Sequence, residues 1–349
     1  MLFRSAKYGL LSFGSDPEDG SYYYSVQISA QDIYTAEMDP ETGKVTAPMR
    51  TVESYVGRNL GPVWSPDGQQ LAYLSLRRSL HAGPGERTLM IRSVKTGEER
   101  VLSSKLWMPR AGPVVRWFQD GRSLLVPGWS ETDRRSSFYR IDAQTGEVGL
   151  IQESLNRDWY RPPVPALSPD GKAIYYMYDD QRSKGSLIVV HEIETGRDTE
   201  VYRVPSRREL ATFTLSRDGR QLAVLGTDNA TGLQTLKIMA ATGGAAVEVF
   251  RAQHPNDIVE EDGIEWTPDG RHVLVVRNPN AKSGTQGGLW RVPTDRGEPQ
   301  ELLAMEGLRV PIPNIHPDGR RIAFTAGNRL GTEEVWVMQN FLPPLKAIR

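Results

Sequence analysis

Residues 61–74 read Gly61-Pro62-Val63-Trp64-Ser65-Pro66-Asp67-Gly68-Gln69-Gln70-Leu71-Ala72-Tyr73-Leu74. Apolar residues stand on both sides of the Ser-Pro-Asp-Gly tetrapeptide at its centre. Proline presets φ for the first corner of a tight turn, and glycine accepts the left-handed position that closes a bulged hairpin. The stretch therefore predicts two antiparallel strands joined by a short turn.

The Asp-Gly dipeptide of this turn occurs at seven regularly spaced sites in 349 residues, and successive sites are 48 to 53 positions apart. The copies are Asp19-Gly20, Asp67-Gly68, Asp120-Gly121, Asp170-Gly171, Asp218-Gly219, Asp269-Gly270 and Asp318-Gly319. A period near 50 over a whole chain is typical of a repeat array. Large apolar residues enter the turns and are expected to pack between repeats: Phe13, Trp64, Trp117, Leu167, Leu215, Trp266 and Ile315.

Each unit continues with a third strand, and six units add a glycine turn and a fourth strand. Four antiparallel strands in about 50 residues form the blade of a β-propeller. We therefore predict an all-β, seven-bladed β-propeller of four-stranded antiparallel blades, with the ring closed between N- and C-terminal strands; six or eight blades are the alternatives. In the last unit two prolines follow the third strand, Val335–Met338, so residues near Leu2–Ala6 are expected to complete that blade.

We expect a single propeller domain over residues 1–349. The repeat spacing divides it into blades at approximately 8–54, 55–105, 106–155, 156–205, 206–253, 254–305 and 306–349, with residues 1–7 completing the last.

Six of the turns resemble the WD40-like repeat, also called PD40, of TolB-type propellers: Ser65-Pro66-Asp67-Gly68, Phe118-Gln119-Asp120-Gly121, Ser168-Pro169-Asp170-Gly171, Ser216-Arg217-Asp218-Gly219, Thr267-Pro268-Asp269-Gly270 and His316-Pro317-Asp318-Gly319. The resemblance covers essentially the whole chain. It implies a bacterial propeller that binds proteins, gates substrates or senses ligands. A periplasmic or other extracytoplasmic location, as part of a longer parent protein, fits the resemblance, and the residues themselves leave the compartment open. TolB itself has six blades and an N-terminal α/β domain, whereas seven units and no such domain are counted here.

The two turns inside each blade lie on one face and repeat the same residues. The connections between blades lie on the opposite face and vary, and function usually resides on such variable loops. Their aromatic and arginine side chains predict a mouth for a carboxylated sugar, a peptide terminus or a phosphate. Alternatively, they plug the ring entrance and pair with neighbouring acids. The ligand-binding candidates are Tyr55, Arg58, Trp107, Arg110, Trp159, Arg161, Arg207 and Arg309.

The sequence lacks a nucleophile elbow, a phosphate loop and regular metal-ligand spacing, which favours a non-catalytic binding or sensor module. The alternative is a lyase or hydrolase that acts on an acidic saccharide or ester at the same mouth. Tyr160 or His254 would then be the base, and Asp257 or Glu260 the acid. We expect no cofactor, and a divalent metal would need His254 with Asp257 or Glu261. A third hypothesis is a purely structural ring that docks a protein.

The expected partners are a protein or a small anionic ligand at the mouth. The 42 basic and 43 acidic side chains nearly cancel, so no bulk charge favours nucleic acid. No apolar run approaches the roughly 18 residues of a membrane-spanning helix. We expect a monomer, because a closed ring needs no partner to bury its strands.

Overall fold

The structure is a computed structural model, and it describes residues 8–15, 22–28, 31–39, 41–45, 50–52, 58–76, 87–102, 106–107, 115–130, 137–153, 165–180, 183–252, 258, 263–277, 288–304, 313–327 and 332–338. Within these residues the strands form six four-stranded blades in a ring and one separate three-stranded sheet.

The chain starts with β1 (Tyr8–Ser15), β2 (Tyr22–Ile28), β3 (Gln31–Glu37) and β4 (Arg50–Thr51). Blade I contains β5 (Arg58–Trp64), β6 (Gln70–Leu76), β7 (Arg87–Ser93) and β8 (Glu99–Leu102). The two-residue β9 (Leu106–Trp107) precedes blade II, which contains β10 (Arg116–Trp117), β11 (Ser123–Ser130), β12 (Ser137–Asp142) and β13 (Val148–Glu153). Blade III contains β14 (Ala166–Leu167), β15 (Ala173–Asp179), β16 (Ser186–Glu192) and β17 (Arg197–Val204).

A single 3-10 turn, η1 (Arg207–Glu209), leads into blade IV, which contains β18 (Thr212–Leu215), β19 (Gln221–Thr227), β20 (Gln234–Ala240) and β21 (Val247–Arg251). Blade V contains β22 (Ile264–Trp266), β23 (His272–Arg277), β24 (Gly288–Pro293) and β25 (Gln300–Ala304). The described chain ends with β26 (Asn314–Ile315), β27 (Arg321–Gly327) and β28 (Thr332–Met338).

The sixth blade, here called the closing blade, combines strands from both ends of the chain. β26 pairs with β27, β27 pairs with β3, and β3 pairs with β4. The remaining terminal strands form the separate sheet, in the order β1-β2-β28. The third strands of the first and last repeats have thus exchanged places, because β3 completes the last repeat and β28 pairs with the first.

The prediction of seven blades is wrong for this reason. It assigned one blade to each Asp-Gly turn, but the first and last repeats together supply one closing blade. Val335–Met338 was predicted as the third strand of the last blade, and it lies in the separate sheet instead. The fourth strand of the closing blade is Arg50–Thr51. Residues 1–7, which were expected in that position, lie outside the described part of the chain.

The core confirms that the ring has six members. Buried side chains form six clusters in the described residues, and each cluster joins two neighbouring blades. The cluster between the closing blade and blade I contains Ile33, Trp64, Tyr73 and Ala323, which come from both ends of the chain. Because burying one large apolar side chain stabilises a fold by about 1.5–3 kcal/mol, these interfaces supply much of the stability of the ring.

The Asp-Gly turns fix the inner end of each blade. In blade I the Ser65 hydroxyl donates to the Asp67 carboxylate at 2.5 Å and accepts from the Gln70 backbone N–H at 2.9 Å. Gly68 occupies the left-handed region with φ at 69°. Ser168, Ser216 and Thr267 repeat the hydroxyl-to-carboxylate bond in blades III, IV and V. The first strands of blades I, III, IV and V therefore end at corners with the same hydrogen bond.

Candidate functional site: the axial cavity

A cavity of about 200 Å³ lies where the first strands of five blades end, at the Asp-Gly end of the ring axis. We call it the axial cavity. Its walls are Val63–Pro66 of blade I, Arg116, Trp117 and Gln119 of blade II, Leu215 and Arg217 of blade IV, Glu265, Trp266 and Pro268 of blade V, and Asn314, Ile315 and Pro317 of the closing blade. The cavity opens among the turns, on the face opposite to the connections between blades.

One column of the repeat supplies three of its polar side chains. The residue directly before each turn-entering apolar residue is Val63, Arg116, Ala166, Thr214, Glu265 or Asn314 in successive blades. Three of the six are therefore charged or amide side chains. The sequence analysis did not single out Arg116, Glu265 and Asn314, because it compared only the turns and the loops of the repeats. The signal that could have found these residues is the change of residue type at this one position of the repeat.

Positive charge exceeds negative charge at the cavity wall. Arg116 Nη1 donates one hydrogen bond, to the Val115 carbonyl at 3.0 Å, and Arg217 Nη1 donates to the Pro317 carbonyl at 3.2 Å. In the described part of the chain no carboxylate lies within 4.0 Å of either guanidinium. Two guanidinium groups and one carboxylate, that of Glu265, therefore face the same space without direct ion pairing.

Burial dominates the ionisation of the charged pair across the cavity. It raises the pKa of the Glu265 carboxyl, and attraction to Arg116, a hydrogen bond from the Trp266 backbone N–H and attraction to Arg217 oppose that rise only in part. Burial likewise lowers the pKa of Arg116, against the attraction of Glu265. Each charge is thus incompletely compensated by the protein.

The tryptophans of the wall differ in their hydrogen bonding. Trp117 Nε1 donates to the Val63 carbonyl of the preceding blade at 3.2 Å, and Trp266 Nε1 donates in the same way to Thr214. The indole N–H of Trp64 is buried and has no hydrogen-bond partner among the described residues. The backbone N–H of Trp64 does have a partner, because it donates to Asn314 Oδ1 at 2.8 Å. Asn314 precedes the turn-entering residue Ile315 of the closing blade.

Most residues of the mouth predicted on the other face lie outside the described residues. These are Tyr55, Arg110, Trp159, Arg161, Arg309, Tyr160, His254, Asp257 and Glu260. Arg58 opens β5, where its backbone pairs with Gln31 of the closing blade, and Trp107 lies in β9; their side chains are outside the description. The mouth therefore remains a prediction.

Arg207 is the candidate of that mouth whose side chain is described. It lies in η1, between blades III and IV, and its Nε is 3.6 Å from the Asp179 carboxylate. Both side chains are partly exposed, so the pair contributes little to stability. Arg207 thus makes the kind of pairing with a neighbouring acid that the alternative interpretation of the mouth expects.

A buried clamp holds the connection that carries His254, Asp257 and Glu260. Gln234 Nε2 donates to the Ile258 carbonyl at 3.0 Å, and the Ile258 backbone N–H donates to Gln234 Oε1 at 2.7 Å. Gln234 and Ile258 are 1% and 2% exposed. The first residue of β20 therefore anchors the middle of this connection to blade IV.

Neither a cluster of metal-ligating side chains nor a helix that could span a membrane occurs in the described ranges. No three His, Asp or Glu side chains in those ranges are grouped so that they could share a metal ion. No helix in the same ranges is long and apolar enough to cross a membrane.

The blades, turns and axial cavity define a six-bladed β-propeller built from WD40-like repeats. Its sequence is similar to that of the Tol-Pal system protein TolB from Francisella tularensis, in the strains FSC147 and SCHU S4 among others. Each is 23% identical over 255 residues, which cover 72% of this chain and 52% of the relative. The chain thus spans about half the length of the curated relatives it matches. No protein-family model matches it.

Solved structures agree on the fold. A TolB-type protein from Agrobacterium tumefaciens matches with a TM-score of 0.60 and 18% identity, over 86% of this chain and 99% of that chain. An oligogalacturonate lyase from Vibrio parahaemolyticus matches with a TM-score of 0.52 and 11% identity, over 90% and 76%. The resemblance to TolB-type propellers is confirmed by the sequence and the fold, and the similarity to the lyase shows the fold alone.

Proposed function

We propose that this chain is a non-catalytic binding propeller that docks a protein partner on the face formed by the connections between blades. The observation that carries the proposal is the similarity to the Tol-Pal system protein TolB over 72% of the chain. The name of that relative places it in a system of interacting proteins. Partner binding also suits a rigid ring that presents connections of different composition.

The described connections support this use of the face. Ser206 accepts the Arg208 backbone N–H and caps η1, and Gln234 holds Ile258 from both sides. Anchored loops of this kind lose less conformational entropy on binding than unanchored loops do. The finer proposal is that Arg58, Arg110, Arg161 and Arg309 form anion-binding forks for acidic groups of the partner.

Biolayer interferometry tests the proposal with immobilised Pal proteins from several bacteria, because the matched relatives are Tol-Pal system proteins. The double variant R110E/R161E reverses two charges on connections that are predicted to lie on the face opposite to the Asp-Gly turns. The matched control R122E/R220E reverses two exposed charges on the turn face. We expect the first variant to weaken binding by about tenfold or more, since two charge-assisted contacts are replaced by repulsion, and the control to bind like the wild type.

The enzyme alternative is tested in parallel with oligogalacturonate, with and without manganese, by following the ultraviolet absorbance of an unsaturated product. The fold similarity to oligogalacturonate lyases motivates this substrate, one of those structures being a complex with manganese. Turnover that is lost in H254A or Y160F, together with no binding to any Pal protein, would replace the binding proposal with the catalytic one.

A further inference from the structure

The axial cavity is an unassigned space on the face formed by the Asp-Gly turns, and within the described residues no carboxylate lies within 4.0 Å of its two guanidinium groups. Arg116 can donate five N–H groups, and among the described residues it donates one, to the Val115 carbonyl. Arg217 likewise makes one hydrogen bond, to Pro317. The remaining donors point to a ligand that accepts hydrogen bonds.

The charges of the cavity wall indicate whether the ligand is an anion or a cation. Two guanidinium groups from blades II and IV face one carboxylate, Glu265 of blade V, so the wall is positive. Burial raises the pKa of the Glu265 carboxyl, and attraction to Arg116 and Arg217 opposes that rise. A bound cation would be repelled by both guanidinium groups.

From these observations we infer that the axial cavity binds a small carboxylate, with Arg116 as its main anchor and Arg217 as a second. A volume of about 200 Å³ suits a molecule of several heavy atoms rather than a folded partner. The planar guanidinium of arginine matches the two oxygens of a carboxylate, which makes this anion class the best fit. The inference is independent of the proposed docking face, because the cavity opens on the opposite side of the ring.

Isothermal titration calorimetry with succinate tests the inference, with the uncharged succinamide as a matched ligand. We expect succinate and not succinamide to bind the wild type. The variant R116Q should bind succinate about tenfold more weakly or worse, as expected for loss of a charge-assisted hydrogen bond. The control R122Q removes an exposed arginine of the same blade outside the cavity and should bind like the wild type.

Two further variants keep the test decisive if R116Q does not fold. R217Q changes an exposed side chain and should weaken succinate binding, whereas E265Q removes the negative charge and should bind it equally or more tightly. A blocked peptide, acetyl-Gly-Asp-Gly-amide, distinguishes a free carboxylate from one on a protein side chain; a preference for either supports the site and identifies its source. No heat with either succinate or the blocked peptide, binding by R116Q and R217Q equal to that of the wild type, or weaker binding by E265Q would overturn the inference.

Discussion

The imidazole of His316 fills the space that a Cβ atom on Gly68 would need. Its Nε2 lies 2.0 Å from the ideal Cβ position and 3.2 Å from the Gly68 carbonyl oxygen, although the residues are 248 positions apart. Its Nδ1 accepts the Asp318 backbone N–H at 3.1 Å, and the ring packs edge-on against Trp64 with centroids 4.8 Å apart. One histidine thus caps its own turn and locks the closing blade onto blade I.

We predict that Gly68→Ala destabilises the protein more than Gly121→Ala. Both glycines have positive φ, 69° and 64°, so each substitution carries a backbone cost of about 1 kcal/mol. A Cβ at Gly121 meets no atom within 4 Å, whereas one at Gly68 collides with His316. Overpacking should add about 1–3 kcal/mol at Gly68, measured by urea denaturation.

The collision itself can be removed. His316→Ser restores the residue type found at Ser65, Ser168 and Ser216 and leaves room beside Gly68. The double variant Gly68→Ala/His316→Ser should therefore lose little more than His316→Ser alone. If Gly68→Ala destabilised the wild type and the His316→Ser variant equally, the imidazole would not be what locks the closing blade onto blade I.

We predict that Trp117→Phe costs more stability than Trp64→Phe. Both changes shorten an aromatic side chain in a blade interface, but Trp117→Phe also removes the hydrogen bond to the Val63 carbonyl. The difference should be about 1 kcal/mol, the usual contribution of such a bond. Thermal unfolding measures this difference. Trp266→Phe is a second case, because it removes the hydrogen bond to the Thr214 carbonyl. A larger loss of stability in Trp64→Phe than in Trp117→Phe would contradict the prediction.

The turn aspartates should make stability depend on pH in the acid range. Hydrogen bonds from Ser65, Ser168 and Ser216 are the first causes that lower the pKa values of Asp67, Asp170 and Asp218. A carboxyl whose pKa is lower in the folded state contributes stability that is complete above the unfolded-state value, near about 3.9. That stability is lost as the pH falls through the folded-state values.

The triple variant S65A/S168A/S216A tests this dependence. We expect it to be less stable than the wild type at neutral pH and to lose less stability between about pH 5 and pH 3, because its aspartate pKa values are closer to those of the unfolded chain. Urea denaturation over the pH range measures both effects. S93A is the control, since the Ser93 hydroxyl accepts from the Thr96 backbone N–H in the other turn of blade I and has no aspartate partner there. An acid slope unchanged from that of the wild type would contradict the prediction.

We predict that Gln234→Leu releases the connection between blades IV and V. It leaves the N–H and C=O of Ile258 without their side-chain partners, at a cost of about 1–3 kcal/mol. Limited proteolysis should then cut within residues 253–262 faster than in the wild type. Gln221→Leu, at an exposed position of the same blade, should be cut at the wild-type rate; equal rates in all three proteins would exclude the clamp.

Much of the fold could be predicted from the repeat because each turn encodes its own geometry. Ser65, Pro66, Asp67 and Gly68 specify a corner, and the strands beside it follow from apolar residues on both sides. The number of blades could not be read in this way. Strand exchange between the chain ends depends on which edges meet in space, and β3 carries no local signal that it pairs with β27 rather than with β2.

Less of the candidate site than of the fold could be predicted from the sequence. Variable loops drew attention to Arg207 and its neighbours, since residues that differ among repeats are candidates for function. The same comparison applied to the first strands would have singled out Arg116, Glu265 and Asn314. That these residues border one cavity follows only from the ring, which brings five distant segments to a common axis.

The composition of the closing blade has a consequence for the order of folding. β27 can find β3 only after nearly all of the chain between them has been synthesised, so this blade must be the last to form on the ribosome. Pairing across such a separation is slow because a long loop must close first. We expect refolding to pause at an open, five-bladed intermediate whose exposed edges at β3 and β5 are the points most prone to aggregation.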